Sequence, residues 1–221
     1  MSEILVHGME KIGIPCDIIE KSVPLLEKYI NEIILYNSAY NLTNTSEHDE
    51  LVVRHILDSL AAYPELADLV SKNGGNSDSP FIIADIGSGG GFPGIPLAMV
   101  FPQVEFRLVE RMSKRCAFLE NCAALFGLKN VQVINSEAER LEEAFADIAV
   151  FRAFRPLDKK MTKTLLRIIK KDGYLAAYKA KKESIVAEMT EIKAIVPEYS
   201  VKKLSVPGLE DSERNLVLIK K

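Results

Sequence analysis

The chain has 221 residues, of which 48% are hydrophobic, and its formal net charge is -3 at pH 7. This length suffices for one sizeable core with an appended segment, and the charged first segment and the lack of a long apolar run argue against a signal peptide or a membrane-spanning helix. Three cysteines and three histidines at irregular spacings exclude a disulfide framework and predict no metal site, so we expect a cytoplasmic protein with free thiols.

The N-terminal third of the sequence predicts helices. Apolar side chains recur at helical spacing over residues 17–37 and again over residues 47–72. The next segment, KNGGNSDSP at 72–80, is rich in glycine, asparagine and serine and is typical of a linker. We therefore predict an N-terminal helical extension over residues 1–78 and a second domain over residues 79–221.

From residue 81 onward, short apolar runs alternate with amphipathic segments. The predicted strands are 81–86, 104–109, 131–135, 147–151, 173–178, 199–206 and 215–220. The predicted helices begin near residue 94 and span 112–126, 157–170 and 183–195. Such alternation is typical of a mostly parallel sheet with helices on both faces. The connection PGLEDSER predicts a hairpin between the last two strands.

A glycine-rich turn follows the first predicted strand, within the stretch FIIADIGSGGGFPGIPLAMVF at 81–101. Gly87, Gly89 and Gly91 allow a ligand to lie against the main chain at the crevice of a doubly wound sheet. A dinucleotide-binding turn would need a glycine at position 92, where Phe92 stands. The turn therefore favours a ligand other than a dinucleotide.

Acidic residues follow or end the first three predicted strands. Asp85 precedes the turn, where a carboxylate suits a sulfonium group better than a diphosphate. Glu110 ends the second strand, where a carboxylate can bind the two ribose hydroxyls of an adenosine. Glu137 and Glu139 follow the third strand, although carboxylates near a helix start also have a purely structural explanation. Together these acids favour S-adenosylmethionine over NAD as the ligand.

Residues 151–182 contain 11 of the 28 lysines and arginines of the chain and only two acidic residues. Because a solvated helix face usually mixes both signs, this segment predicts a surface that faces phosphates. Arg152 opens the segment at a strand end, where its guanidinium can grip a phosphate or stack on a base. The other residues predicted to contact RNA are Arg155, Lys159, Lys160, Lys163, Arg167, Lys170, Lys171, Lys179, Lys181 and Lys182. The rings of Phe151 and Phe154 can stack on bases, with core packing the favoured alternative for Phe151.

Six short motifs occur in a specific order. They are NLT at 41–43, VRHILDSL at 53–60, DIGSGGGFPGIPLA at 85–98, SKRCAFL at 113–119, RAF at 152–154 and ERNLVLIKK at 213–221. From residue 41 onward the chain resembles the glucose-inhibited division protein B family, bacterial methyltransferases that modify N7 of a guanine in small-subunit ribosomal RNA. The resemblance implies a class I S-adenosylmethionine-dependent methyltransferase: a Rossmann-like, doubly wound, mostly parallel seven-stranded α/β sheet whose final strand is antiparallel.

The same resemblance implies roles for individual residues. Gly87 and Phe92 line the cofactor site, Ala138 and Glu139 hold its adenine end, and Arg152 lies beside the reacting groups as the catalytic residue.

Other positions have two interpretations or depart from the family pattern. Arg54 and His55 are placed at the mouth of the site by the resemblance, whereas i, i+4 pairs with Asp58 and Ser59 are the local alternative. The family usually has arginine at position 137 and serine at position 151, so contacts of those two side chains are not carried over.

The resemblance thus implies methylation of N7 of one guanine in small-subunit ribosomal RNA. Guanine N7 has an in-plane lone pair and no proton, so direct in-line transfer needs no general base and depends on positioning. The expected partner is ribosomal RNA or the small ribosomal subunit, with no membrane association, and the expected oligomeric state is a monomer. Two alternatives stay open: a methyltransferase for a small-molecule or protein acceptor, and a non-catalytic RNA-binding module.

Overall fold

The computed structural model describes residues 2–73 and 80–221. The N-terminal part consists of α1 (Glu3–Ile12), α2 (Cys16–Tyr40), α3 (His48–Leu51), a π-helical turn (Val52–Leu57), α4 (Asp58–Leu60) and α5 (Tyr63–Asn73). The predicted helical character of residues 17–37 and 47–72 is confirmed, and α1 is an addition. The predicted domain boundary between residues 78 and 79 lies outside the described residues.

The second predicted helix is not continuous. It ends at Leu60 and a new helix begins at Tyr63, next to Pro64. Proline is tolerated in the first turn of a helix but cannot donate a backbone hydrogen bond within one. Pro64 therefore starts α5 rather than continuing α4.

Seven strands form one sheet. They are β1 (Ile82–Ile86), β2 (Glu105–Glu110), β3 (Val131–Asn135), β4 (Ala146–Arg152), β5 (Ile169–Lys179), β6 (Ser200–Lys203) and β7 (Asn215–Lys220), in the order β3-β2-β1-β4-β5-β7-β6. Strands β1 to β5 pair in parallel, and β7 runs antiparallel to β5 and β6. This confirms the predicted sheet with its antiparallel final strand. The chain order reverses between β1 and β4, where such sheets open a crevice.

Strand β5 begins at Ile169, four residues earlier than predicted. The register with β4 shifts between Ala146 and Ile148, and Asp172 adopts a left-handed backbone with φ 64°. A bulge of this kind lets a strand pass through turn residues without ending. The Asp172–Gly173 step, which sequence rules treat as a break, therefore lies inside β5.

Helices cover both faces of the sheet. After the first strand the chain forms α6 (Gly94–Val100), α7 (Ser113–Leu125), a 3-10 turn (Ala138–Arg140), α8 (Lys159–Ile168) and α9 (Lys182–Ile192). One apolar cluster contains Ile83 of β1 with buried residues of α1, α2, α6 and α7, and the other contains Ile82 and Ala84 with those of α8 and α9. The N-terminal helices therefore share one core with the sheet. No helix in the described part of the chain is both long and apolar enough to cross a bilayer.

The glycine turn packs directly against the N-terminal helices. The hydroxyl of Tyr29 on α2, which is fully buried, donates to the carbonyl of Gly90. Gly91 has φ 97°, and a Cβ added there would lie 2.6 Å from Tyr29 Oη and 2.7 Å from Ile95 Cγ1. Only glycine satisfies both the backbone angle and the space at this position.

Gly91→Ala is expected to lower the free energy of unfolding by about 2–5 kcal/mol, because left-handed strain and overpacking combine there. Gly13→Ala is the matched control, since Gly13 has φ 90° and no atom lies within 4 Å of an added Cβ. The control should lose only about 1–2 kcal/mol. Urea unfolding measures both, and equal losses would contradict the packing account.

Candidate active site

The glycine turn is held against the end of β2 by backbone hydrogen bonds. The N–H groups of Gly87 and Ser88 both donate to the carbonyl of Val109, at 2.8 Å and 3.1 Å. Gly87 has φ 75°, and a Cβ added to it would lie 2.7 Å from Phe154 Cδ2. Glycine is therefore required at this position, because the Phe154 ring fills the space that a side chain would take.

Glu110 at the end of β2 has a fixed carboxylate. Its Oε2 accepts from the N–H of Gly89 at 2.9 Å, and its Oε1 accepts from the N–H of Met112 at 2.8 Å. The residue is only 5% exposed. Each oxygen retains acceptor capacity beyond its one backbone bond, so the carboxylate can also bind hydroxyl groups.

A cavity of about 400 Å³, here called cavity A, opens over the carboxyl ends of β1 to β4. Five of the predicted site residues line it: Gly87, Glu110, Ala138, Glu139 and Arg155. The other lining residues are Ile86, Val109, Arg111, Met112, Arg115, Ser136, Glu137, Ala153 and Phe154. Parallel strands bring residues far apart in sequence to this one edge, which is where such sheets bind ligands.

Asp85 lies behind the glycine turn and does not line cavity A. The carboxylate is completely buried; its Oδ2 accepts from the N–H of Gly94 at 2.9 Å, and its Oδ1 has no partner among the described residues. Burial raises the pKa of Asp85 to about 7, against the lowering effect of the hydrogen bond from the Gly94 N–H. Asp85 therefore fixes the start of α6, and this position gives no support to direct contact with a ligand.

Phe92 also lies outside the lining of cavity A. Its ring is 5.4 Å from the ring of Tyr29 and 4.9 Å from that of His55, and the residue is 6% exposed. Gly89 and Gly91 shape the turn without lining the cavity. Phe92 packs between the N-terminal helices and the site. This position gives no support to the predicted contact of Phe92 with the ligand.

Arg152 at the end of β4 forms hydrogen bonds to three other groups of the protein. Its Nη1 donates to Asp58 Oδ2 at 2.7 Å and to the carbonyl of Arg54 at 3.0 Å, and its Nη2 lies 3.0 Å from His55 Nδ1. The guanidinium also lies 5.2 Å from the centre of the Phe92 ring. The side chain is 15% exposed, and its contacts connect the end of β4 to the N-terminal helices.

Asp58 joins Arg152 to a second arginine that the sequence did not single out. Its Oδ1 accepts from Arg214 Nε at 3.0 Å, and its side chain is 7% exposed. Arg214 lies just before β7, and 156 residues separate the two partners along the chain. No spacing rule finds a pair so distant, although Arg214 lies within the motif ERNLVLIKK.

Of the two predicted local pairs in VRHILDSL, Arg54–Asp58 does not form, whereas His55–Ser59 forms through the backbone of His55. Arg54 lies 3.7 Å from Glu50 rather than pairing with Asp58, and the Ser59 hydroxyl donates to the backbone carbonyl of His55. The π-helical turn over Val52–Leu57 widens the helix at this point, which changes the i, i+4 relationship. The buried Asp58 side chain consequently faces the arginines of the sheet.

A second cavity of about 440 Å³, here called cavity B, adjoins cavity A. The two share Ala153, Phe154 and Arg155, and Ala153 turns the chain after β4 with φ 49°. Cavity B is also lined by Arg54, His55, Asp58, Phe151, Arg152, Pro156, Tyr178, Lys179, Ala180, Glu188, Leu204, Arg214 and Asn215. The predicted RNA-contacting residues Arg54, His55, Arg155 and Lys179 therefore lie together at one opening.

Phe151 near the end of β4 and Phe154 just after it differ in exposure. Phe151 is 1% exposed and belongs to the core, whereas Phe154 is partly exposed and lines both cavities. Their ring centres lie 6.0 Å apart. Phe154 is thus the aromatic residue of this pair that a base can reach.

The basic segment also divides into paired and free side chains. Lys179 pairs with Glu188 at 2.7 Å, Lys170 with Asp147 at 2.8 Å, and Arg155 with Glu139. Arg167 donates to the carbonyl of Glu139 at 3.2 Å. Within residues 2–73 and 80–221, the exposed lysines with no acidic partner in this segment are Lys159, Lys160, Lys163, Lys171, Lys181 and Lys182.

Removing the carboxylate of Asp58 is expected to destabilise the fold. Asp58→Asn leaves two largely buried guanidinium groups without their counter-charge, which costs about 3–5 kcal/mol. Asp68→Asn is the matched control, because Asp68 pairs with Lys72 where both side chains are more than half exposed, and such a pair contributes about 0–1 kcal/mol. Urea denaturation compares the two, and equal shifts of the midpoint would contradict a structural role for the buried cluster.

The raised pKa of Asp85 predicts a pH-dependent stability. The pKa of Asp85 is about 7 in the folded protein, whereas its ordinary value is 3.8. Between these two pH values Asp85 is protonated in the folded state but ionised in the unfolded state. The contribution of Asp85 to stability therefore falls as the pH rises from about 4 to 7. Unfolding free energies of wild type and Asp85→Asn should therefore diverge by roughly 1 kcal/mol per pH unit, in favour of the variant at higher pH. Parallel pH profiles would contradict this.

Comparison with known proteins identifies the family. The family model described as rRNA small subunit methyltransferase G, GidB, matches residues 22–217. The ribosomal RNA small subunit methyltransferase G of Treponema denticola is 41% identical, covering 99% of this chain and 94% of that protein, and the one of Neisseria meningitidis serogroup B is 33% identical, covering 99% and 98%. A human methyltransferase 10 domain containing protein has a TM-score of 0.59 at 12% identity, covering 87% of this chain and 97% of that chain, which confirms the methyltransferase fold. The chain therefore belongs to the GidB family of rRNA small subunit methyltransferases.

Proposed function

We propose that this protein methylates N7 of a guanine in small-subunit ribosomal RNA, with S-adenosylmethionine as methyl donor. The observation that carries the proposal is the meeting of two cavities at the carboxyl edge of the sheet. Cavity A contains Gly87 and the Glu110 carboxylate, cavity B is lined by four arginines and Lys179, and both contain the segment from Ala153 to Arg155. Family membership supports both halves of this assignment.

Cavity A fits the methyl donor. Glu110 presents a carboxylate, already oriented by two backbone N–H groups, to the ribose hydroxyls of the adenosine. Gly87 lines the cavity beside it, and Ala138 with Glu139 lies along the wall at the predicted adenine end. When bound, S-adenosylmethionine supplies an electrophilic methyl group. A dinucleotide is disfavoured, because the turn departs from the diphosphate-binding spacing at Phe92.

Four exposed lysines of the basic segment lie at helix starts, where they do not stabilise the helices that carry them. Lys159 and Lys160 begin α8, and Lys181 and Lys182 lie at the start of α9. Positive charge near a helix N-terminus opposes the helix dipole by about 0.3–1 kcal/mol each. Clustered exposed lysines at these positions are explained by an anionic partner, and phosphates of RNA are the partner that the family indicates.

The side chains of cavity B are compatible with transfer that needs no base. Burial and the charges of Arg152 and Arg54 lower the pKa of His55 to about 4, so the imidazole is neutral at pH 7. Arg152 is occupied by Asp58 and His55. Since guanine N7 carries no proton, positioning supplies the rate, and near-attack geometry contributes roughly 7–11 kcal/mol. The target guanine must be unstacked, because the deep groove of A-form RNA hides N7.

The proposal is tested by transfer of labelled methyl from S-adenosylmethionine to small ribosomal subunits isolated from cells that lack the enzyme, followed by mapping of the modified nucleotide. Label at N7 of one guanine is the expected result. Failure to label RNA while S-adenosylmethionine binds would overturn the proposal and favour a small-molecule or protein acceptor. Failure to bind S-adenosylmethionine would favour a non-catalytic RNA-binding module.

The charge on α8 gives a separate prediction. Replacing Lys159, Lys160 and Lys163 together by alanine should weaken binding to the RNA substrate and reduce the slope of log K against log salt by about 2, since each phosphate contact on single-stranded RNA contributes roughly 0.7. Lys11, Lys21 and Lys28, which lie on α1 and α2, give a control variant with the same change in net charge. Filter binding at several salt concentrations measures both. Equal slopes for the two variants would show that α8 does not contact phosphates.

A further inference from the structure

The tautomer of His55 is fixed by its neighbour. His55 Nδ1 lies 3.0 Å from Nη2 of Arg152. A guanidinium nitrogen in a protein always donates and never accepts, so Nδ1 must be the acceptor of this hydrogen bond. In the neutral imidazole the ring proton is then on Nε2.

The Nε2–H of His55 is available to a ligand. In residues 2–73 and 80–221, two buried side-chain polar atoms have no hydrogen-bond partner, and these are Asp85 Oδ1 and Arg115 Nε. His55 Nε2 does not belong to this set of buried atoms. No hydrogen bond within this part of the chain uses Nε2 either. His55 Nε2 is therefore neither hydrogen-bonded within the described residues nor fully buried, and the residue lines cavity B. His55 therefore offers one hydrogen-bond donor to the cavity.

The position of the imidazole ring is held on several sides. Phe92 packs against it at 4.9 Å between ring centres, and Arg152 holds its Nδ1 edge. Arg152 is itself fixed by Asp58 Oδ2 at 2.7 Å and by the carbonyl of Arg54. A donor held in this way costs little further ordering when a ligand binds.

We propose that His55 donates its Nε2–H to O6 of the target guanine, and that Arg152 is the positioning residue that fixes this donor. The inference rests on the proposed function and deepens it. O6 and N7 lie on the same edge of guanine and both are acceptors, so a donor directed to O6 orients the base and leaves the N7 lone pair free. Adenine has an amino group in place of O6, and two donors would then face each other. The single N–H of neutral His55 thus selects guanine.

The test is a double-mutant cycle in which the histidine and the base are changed separately and together. Small subunits are reconstituted with RNA that carries guanine or 2-aminopurine at the methylated position, since 2-aminopurine keeps N7 but lacks O6. Wild type should methylate the guanine substrate with a kcat/KM at least about 10-fold higher than the analogue, the factor that loss of one buried hydrogen bond produces. His55→Phe, which keeps a ring against Phe92, should lose activity on guanine and show little difference between the two substrates.

Two further variants separate recognition from structure. His55→Gln retains an N–H donor and should recover part of the preference for guanine. His7→Phe is the control, because the side chain of His7 is 66% exposed on α1, and it should behave as wild type.

The outcomes distinguish this inference from the proposed function. If His55→Phe discriminates between guanine and 2-aminopurine as strongly as wild type does, another group reads O6 and the inference is overturned. If wild type transfers no methyl group to guanine in the RNA, the proposed function fails and the inference fails with it. S-adenosylmethionine binding by each variant, measured by calorimetry, should be unchanged if His55 contacts only the base.

Discussion

The Asp58 carboxylate, buried between Arg152 and Arg214, is the interaction on which the rest of the site depends. Each of its oxygens accepts from one guanidinium, at 2.7 Å and 3.0 Å. The three residues come from the N-terminal helices, the end of β4 and the segment before β7. A buried carboxylate is costly unless it is paired, and this one is paired with two separate parts of the chain. The cluster therefore fixes how the N-terminal helices lie over the carboxyl edge of the sheet.

The chemistry of cavity B follows from that constraint. Because Arg152 is held by Asp58, its Nη2 faces His55 Nδ1 and donates to it, and this donation determines which imidazole nitrogen carries the proton. The π-helical turn contributes the carbonyl of Arg54 to the same guanidinium, and the Tyr178 hydroxyl anchors the helix by donating to the carbonyl of Ser59 at 2.8 Å. Such turns are often found at functional sites, where they redirect side chains. This arrangement agrees with the proposed positioning of a base and includes no group that would need to transfer a proton.

The opposite half of the site is organised by the backbone. The turn after β1 is pinned to Val109 and Glu110, and Tyr29 holds it from the side of α2. Asp85 stabilises the end of the turn by accepting a hydrogen bond from the N–H of Gly94 at 2.9 Å. Its raised pKa is the consequence of using a carboxylate at a completely buried position. Both halves of the site thus depend on the N-terminal helices, which share a core with the sheet.

The sequence by itself determined the sheet, the glycine turn, the placement of Glu110 at the end of β2 and the concentration of positive charge in residues 151–182, since these follow from local periodicity, spacing and composition. It could not determine that Arg152 would be enclosed by Asp58 and His55, or that Arg214 would complete the cluster. Those contacts join residues 94 to 156 positions apart, and only packing decides them. Likewise, the basic segment predicted one charged surface, whereas tertiary structure divided it into paired cations such as Lys179 and exposed lysines such as Lys159. The physical reason is that short-range patterns specify elements, while the partner of a charged side chain depends on which elements the core brings together.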